Sequence, residues 1–181
     1  MIDASSSLTD VAFEVCTALS KTGFTTVLTG GSAATVHTRG SYQSLDLDFV
    51  ISLNGTGGQR ALEGLGFRRV DELYRHSRSK FTLEFPPGPL AVGDDLITSW
   101  DTLHQDQLLL HILSPFDSCR DRLASFLFWN DLSGLEQALL VHTAHRDRVD
   151  LAGLRSWCTR ERQAKKFELY EERFKALALE K

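Results

Sequence analysis

The segment from Leu45 to Ile51 alternates apolar and acidic side chains, because Asp46 and Asp48 stand between apolar residues. Successive side chains of a strand point to opposite faces, so the pattern predicts a strand over residues 45–53 with one core face and one acidic face. Two carboxylates about 7 Å apart on one face repel each other unless a cation lies between them, and Mg²⁺ prefers such oxygen ligands. An isolated D-x-D tripeptide is more often a pair of solvated aspartates on an edge strand, so the neighbouring segments decide its meaning.

A glycine turn comes before this strand. Residues 25–29 are rich in β-branched side chains and predict a strand, and Gly30 and Gly31 lead from it into a helix predicted over about residues 32–38. Glycines at such a turn let backbone N–H groups approach a phosphate, and the helix N-terminus adds its positive end. The hydroxyl of Ser32 is a further candidate phosphate ligand. A tight turn beneath a closely packed helix explains the same glycines, so both interpretations stay open.

A third segment, residues 79–85, predicts another strand that stops at a run of prolines. Its alternation puts Lys80 and Glu84 on one face and phenylalanine and leucine side chains in the core. If this strand neighbours the first, Glu84 completes a set of three carboxylates. Lys80 would then lie where a phosphate or pyrophosphate leaving group needs a cation, although a solvated edge-strand lysine is the simpler alternative.

Taken in order, the three segments resemble the nucleotidyltransferase superfamily that includes DNA polymerase beta. That family has a hydrophobic residue before G-[GS], then D-x-[DE] between apolar residues, and later an acidic residue between apolar ones. The matching segments are residues 28–32, 45–49 and 83–85, and the resemblance covers roughly residues 25–85. It is greatest for the bacterial branch of abortive-infection toxins, whose members often have G-G-[ST]-A and an arginine shortly before the first aspartate. Here Arg39 is further from Asp46 than that pattern expects.

The resemblance implies an α/β (α+β) fold, with a small mixed sheet and flanking helices of nucleotidyltransferase type, followed by a C-terminal helical part. It implies transfer of a nucleoside monophosphate from an NTP to a hydroxyl of an RNA such as tRNA, a protein or a small molecule. Mg²⁺ or Mn²⁺ would be held by Asp46, Asp48 and Glu84, with Lys80 also catalytic. The implied nucleotide-binding residues are Gly30, Gly31, Ser32 and Lys80. A toxin of a toxin–antitoxin or phage-defence system, with a partner antitoxin protein, is one role such an enzyme has.

The second half of the chain predicts helices. Helical periodicity runs through residues 119–129, 135–144, 151–160 and 164–179, and a strand is expected before them at residues 107–113. We therefore expect a catalytic core over residues 1–113 and a helical extension over residues 114–181 packed on it. Arg122 could reach a phosphate, but a buried ion pair with Asp131 is the preferred interpretation. His142 and His145 lack the partners of a metal site, so surface or packing roles are expected.

Composition limits the partners. The 181 residues carry a formal net charge of −4, so a nucleic-acid partner would need a local basic patch. No segment stays apolar for about 18 residues and the N-terminus does not resemble a signal peptide, so no membrane partner and a cytoplasmic location are expected. The three cysteines are too scattered for a disulfide framework and are expected to be reduced.

Two other functions fit the same sequence. One is a catalytically inactive nucleotidyltransferase-like module that binds or regulates. The other is a nucleic-acid-binding adaptor, because one stretch of this acidic chain is basic. Its basic residues are Arg68, Arg69, Arg75, Arg78 and Lys80.

Overall fold

The computed structural model describes residues 2–179. In these residues the helices are α1 (Leu8–Ser20), α2 (Gly30–His37), α3 (Gly58–Gly64), α4 (Pro115–Trp129), α5 (Leu132–Ala144), α6 (Leu151–Arg160) and α7 (Ala164–Leu179). The strands are β1 (Thr25–Thr29), β2 (Asp46–Leu53), β3 (Phe67–Val70), β4 (Leu73–His76), β5 (Thr82–Glu84), β6 (Ala91–Val92), β7 (Asp95–Leu96), β8 (Asp101–Gln105) and β9 (Leu108–Ile112). The fold is mixed α/β, as the sequence predicts.

Seven strands form one mixed sheet in the order β3-β4-β5-β2-β1-β9-β8, and β6 and β7 form a separate hairpin. The pairs β1/β9 and β2/β5 are parallel, whereas the other pairs of the large sheet are antiparallel. Leu47 and Phe49 of β2 and Leu83 of β5 are fully buried in a core that includes the apolar face of α1. Alternation therefore turns the opposite face of β2 and β5, which carries the carboxylates, away from this core.

Helix α1 begins at Leu8, after a hydrogen-bonded cap formed by Ser7 and Asp10. Ser7 is the N-cap: its hydroxyl accepts the Asp10 N–H (3.2 Å), and the Asp10 carboxylate accepts the Ser7 N–H (2.9 Å). This reciprocal pair is a capping box, which satisfies two backbone N–H groups at the start of the helix.

The predicted strand over residues 79–85 is shorter than expected, because only Thr82–Glu84 pair with neighbours. Strands β3 and β4 were not predicted at all. Each has four residues and carries exposed arginines, and a turn with Asp71 at a φ of 57° joins them. Short polar strands at a sheet edge show little of the apolar alternation on which strand prediction depends.

The helices of the second half match their predicted positions, and α6 and α7 have the predicted bounds. They share a second apolar core that also takes in Ala34 of α2 and Val92 of β6. The division of the chain at residue 113 into core and extension stays a prediction. Within residues 2–179, none of the helices combines the length and apolar composition needed to cross a bilayer.

Both histidines singled out in the sequence have packing roles. His142 is buried, its Nδ1 lies 2.7 Å from the Tyr170 hydroxyl, and its ring stacks on Phe174 with centroids 3.8 Å apart. His145 Nε2 lies 3.0 Å from the backbone oxygen of His37. The three cysteines are buried and unpaired.

Candidate active site

Strands β2 and β5 place the predicted carboxylates on one face of the sheet. In their parallel register Asp46 lies beside Thr82, and Asp48 lies beside Glu84. Residues paired across neighbouring strands project to the same side, so Asp48 and Glu84 are adjacent and Asp46 is one pleat away. The hydroxyl of Thr82 donates a hydrogen bond to the Asp46 carboxylate, which fixes this side chain against β5.

The carboxylates of Asp46, Asp48 and Glu84 do not form a ready metal-binding site. Across residues 2–179, no group of three or more His, Cys, Asp or Glu side chains is arranged to hold a metal ion. The donor set nevertheless fits a hard cation, because Asp48 feels the negative charges of Glu84, Asp121 and Asp46 with only Arg122 opposing them. Asp46, Asp48 and Glu84 therefore stay the predicted ligands, and a cation would have to draw them together.

Burial, followed by the negative charge of Glu84, raises the pKa of Asp48 to about 6. The charged form of a carboxylate loses stability when it leaves water and when another anion lies nearby. Without a cation, a folded chain near neutral pH therefore holds an ionised Asp48 at an energetic cost. Such a cost is typical of groups placed for a task other than stability.

Replacing Asp48 by asparagine should stabilise the metal-free protein in a pH-dependent manner. Because the folded-state pKa lies above the usual 3.8, the wild type loses stability as pH rises from about 4 to about 6, and the variant does not. We expect no difference near pH 4 and a variant more stable by about 2 kcal/mol above pH 6.5, after allowance for partial solvent screening. Urea unfolding with a chelator present, from pH 4 to 7.5, measures this; equal stability at every pH would contradict the assigned environment.

The glycine turn lies directly against Asp48. Gly30 has a φ of +65°, and a Cβ at this position would lie 2.3 Å from Asp48 Oδ2. Its N–H donates to Asp121 Oδ2 at 3.2 Å, so a carboxylate of α4 occupies the donor that was predicted to face a phosphate. Helix α2 begins at Gly30 rather than at Ser32, which brings both glycines into its first turn.

Ser32 differs from its predicted role. It is fully buried, its hydroxyl donates to the Thr29 carbonyl (2.7 Å), and it accepts the Asp48 N–H (3.2 Å). A serine hydroxyl has one proton to donate, so none is left for a phosphate in this arrangement. The Ser32 side chain instead links the glycine turn to the backbone of Asp48 by hydrogen bonds.

Helix α4 brings two charged residues to the site, and the sequence analysis gave a site role only to Arg122, as the less favoured alternative. Arg122 pairs with Asp121, through Nη2 at 2.8 Å and Nε at 3.0 Å to the same oxygen. The expected Arg122–Asp131 ion pair was wrong, because Asp131 is the N-cap of α5 and accepts the Ser133 N–H at 2.9 Å. The only signal was the presence of polar residues in an otherwise apolar helix.

Lys80 lies in the turn before β5, exposed to solvent, with its Nζ 5.1 Å from the centre of the Phe81 ring. It borders a surface hollow formed with residues 3–5 and 77–79. The strand alternation that put Lys80 and Glu84 on one face does not reach residue 80, because β5 begins at Thr82.

No protein-family model matches the chain, and no curated protein sequence matches it either. Its fold is similar to that of an antigenic nucleotidyltransferase-like protein from Paracoccidioides brasiliensis, with a TM-score of 0.55 at 15% identity over 91% of this chain and 94% of that one. It is also similar to the solution structure of the antibiotic-resistance factor ANT(2'')-Ia, with a TM-score of 0.51 at 17% identity over 88% and 94% of the two chains. On the evidence of its sheet, its helices and these neighbours, the chain has the nucleotidyltransferase fold.

Proposed function

We propose that this protein transfers a nucleoside monophosphate from an NTP to a hydroxyl group of an acceptor. The observation that carries the proposal is the placement of Asp46, Asp48 and Glu84 on one sheet face, against a glycine turn that cannot accept a Cβ. Uncompensated negative charge at this point destabilises the fold, and binding of a cation with a polyphosphate would relieve it. The fold that the chain shares with nucleotidyltransferase-like proteins agrees with this chemistry.

In the proposed reaction, the acceptor oxygen forms a bond to the α-phosphorus and the bond to the β-phosphate oxygen breaks, which releases pyrophosphate. The acceptor proton passes to Asp48 or Glu84. Backbone N–H groups at Gly30 and Gly31 would bind the β- and γ-phosphates once Asp121 releases the first of them. Mg²⁺ or Mn²⁺ held by Asp46, Asp48 and Glu84 would offset the phosphate charge and favour loss of the acceptor proton.

A toxin role in a toxin–antitoxin or phage-defence pair, with an antitoxin partner and a cytoplasmic location, is proposed on the sequence resemblance alone. Growth arrest on expression of the wild type, absent in an Asp48→Asn variant, would support it. Growth unaffected by wild-type protein that is active in vitro would overturn it.

Lys80 is the proposed cation for the leaving pyrophosphate. Because it lies in the turn before β5, its long side chain would have to reach the site from outside the strand. Lys80→Ala should then lower turnover about a hundredfold with a smaller loss of nucleotide affinity, because the charge on the leaving group develops during transfer. Single-turnover transfer at saturating nucleotide and Mg²⁺ measures this, with Lys21→Ala as an exposed control. A change of less than about threefold would return Lys80 to the solvated surface.

Incubation of the protein with labelled nucleotides, Mg²⁺ and a whole-cell extract of RNA and protein tests the proposed reaction. We expect one class of molecule to gain label with wild type and none to gain it with Asp48→Asn. Label equal in both would place the activity elsewhere.

The second candidate is an inactive module, and one observation favours it: Asp121 already occupies the Gly30 N–H, where a nucleotide phosphate would bind. Calorimetry with Mg²⁺ and several nucleotides separates the two functions. If the protein binds neither Mg²⁺ nor a nucleotide, the inactive module is favoured. Nucleotide binding that depends on the metal would favour the enzyme.

A further inference from the structure

A row of basic residues leads across the sheet to the carboxylates. Arg68 of β3 pairs with Arg75 of β4, Arg75 pairs with Thr82 of β5, and Thr82 pairs with Asp46 of β2. Residues paired in this way project from the same face of a sheet. With strands about 4.8 Å apart, the Arg75 backbone lies about 10 Å from that of Asp46, and the Arg68 backbone about 14 Å.

The charges of this row have no partners in the part of the chain described. Arg68 and Arg75 are exposed, and neither takes part in an ion pair within residues 2–179. Like charges directly opposite each other on neighbouring strands destabilise the pairing. The two arginines therefore weaken the pairing of β3 with β4 unless an anion binds between them.

The neighbouring arginine of the same strand points elsewhere. Arg69 pairs with Tyr74, which in turn pairs with the buried Leu83. Arg69 thus projects to the opposite face, and its Nε donates to the Asp71 carbonyl at 3.0 Å. The strand pleat therefore separates the three strand arginines: Arg68 and Arg75 share the face of the carboxylates, and Arg69 does not.

The two sides of the carboxylates differ. Gly30 and the start of α2 follow the end of β1, which neighbours β2 on one side, whereas the arginine row lies on the other side of β2, beyond β5. If the nucleotide phosphates bind the glycine turn, the arginine row faces the acceptor. Val70 and Leu73 pair with each other on the same face as the arginines, and Val70 is 46% exposed. The acceptor side therefore combines two cations with an apolar surface.

We propose that Arg68 and Arg75 bind the phosphodiester backbone of a polynucleotide, which presents its terminal hydroxyl to the carboxylates. Val70 and Leu73 would pack against the apolar faces of its bases, a contact that every base can make. This assignment rests on the proposed function for the chemistry that follows binding. The same charges disfavour a polycationic acceptor such as an aminosugar, since it would be repelled on approach.

The test measures binding of a fluorescently labelled single-stranded RNA by anisotropy over a range of salt concentrations, without nucleotide or metal. The variants are Arg68→Gln with Arg75→Gln, and Arg69→Gln as a control from the same strand but the opposite face. We expect the double variant to bind at least about tenfold more weakly, and its slope of log affinity against log salt to be smaller by about 1.4, because each lost contact to a single strand removes about 0.7. Arg69→Gln should bind within about twofold of wild type.

Equal losses in the double variant and in Arg69→Gln would overturn the proposal, since the effect would then be one of general charge. Failure of wild type to bind RNA would also overturn it, whether or not the protein transfers nucleotides. If wild type binds RNA through the two arginines but transfers no label, the proposed reaction fails and the binding surface stands. Binding of tripolyphosphate and of single-stranded DNA is measured in the same way. Loss of tripolyphosphate binding in the double variant would overturn the proposal and assign the two arginines to the nucleotide. DNA binding equal to RNA binding would support a polynucleotide acceptor of either kind.

Discussion

Asparagine in place of Asp48 is expected to reduce nucleotidyl transfer about a thousandfold or more while the protein stays folded. The asparagine amide is neutral. It therefore cannot take the acceptor proton, and it lacks the negative charge with which Asp48 would bind a divalent cation. A thousandfold loss corresponds to about 4 kcal/mol of transition-state stabilisation, which is within the range found when a group that meets developing charge is removed. Single-turnover transfer at saturating NTP and Mg²⁺ would measure it once labelling has identified an acceptor.

Asp106→Asn is a matched control for this substitution. Asp106 is exposed in the turn between β8 and β9 with a φ of 53°, a conformation that asparagine also tolerates. Its variant should transfer at the wild-type rate, and Asp46→Asn should be as inactive as Asp48→Asn. Activity of Asp48→Asn within about tenfold of wild type would contradict the assignment, and loss of its fold would identify Asp48 as a structural residue.

Much of the region around the site follows from local sequence patterns. The alternation from Leu45 to Ile51 requires a strand with one acidic face, because the opposite register would expose Phe49 and bury two carboxylates. The glycine turn is equally local, since Gly30 adopts a left-handed φ that other residues rarely adopt. The order of the three segments then predicts the nucleotidyltransferase fold.

The contacts that cross the fold could not be predicted in this way. Asp121 reaches Gly30 from 91 residues further along the chain, and nothing in the sequence of α4 specifies which turn it will face. The edge strands β3 and β4 are short and rich in arginine, so the pleat that separates Arg69 from Arg68 has no apolar signal. The sequence pattern also does not reveal the hydrogen bonds of Ser32 to Thr29 and Asp48, because these exist only in the folded chain.

A Cβ at position 30 should damage both the site and the fold. In Gly30→Ala the new methyl group would lie 2.3 Å from Asp48 Oδ2 and 3.2 Å from its Cγ, and the residue would have to keep a φ of +65°. The left-handed conformation alone costs about 1–2 kcal/mol for alanine, and the clash must also move Asp48 or the start of α2. We expect the free energy of unfolding to fall by about 3 kcal/mol and transfer by several hundredfold, measured by urea unfolding and by single-turnover kinetics.

Gly64→Ala separates this effect from the general consequences of replacing glycine. Gly64 is the last residue of α3, and apart from its chain neighbours and the backbone of its own helix, no heavy atom lies within 4 Å of the position of its Cβ. Alanine there should leave stability unchanged or raise it by about 0.5 kcal/mol, because it restricts the unfolded chain. If Gly30→Ala kept both stability and activity, the turn would have to yield without moving Asp48. The close approach of the glycine to the carboxylate would then not be what positions the site, and the carboxylate placement on β2 and β5 would have to carry the proposed function without it.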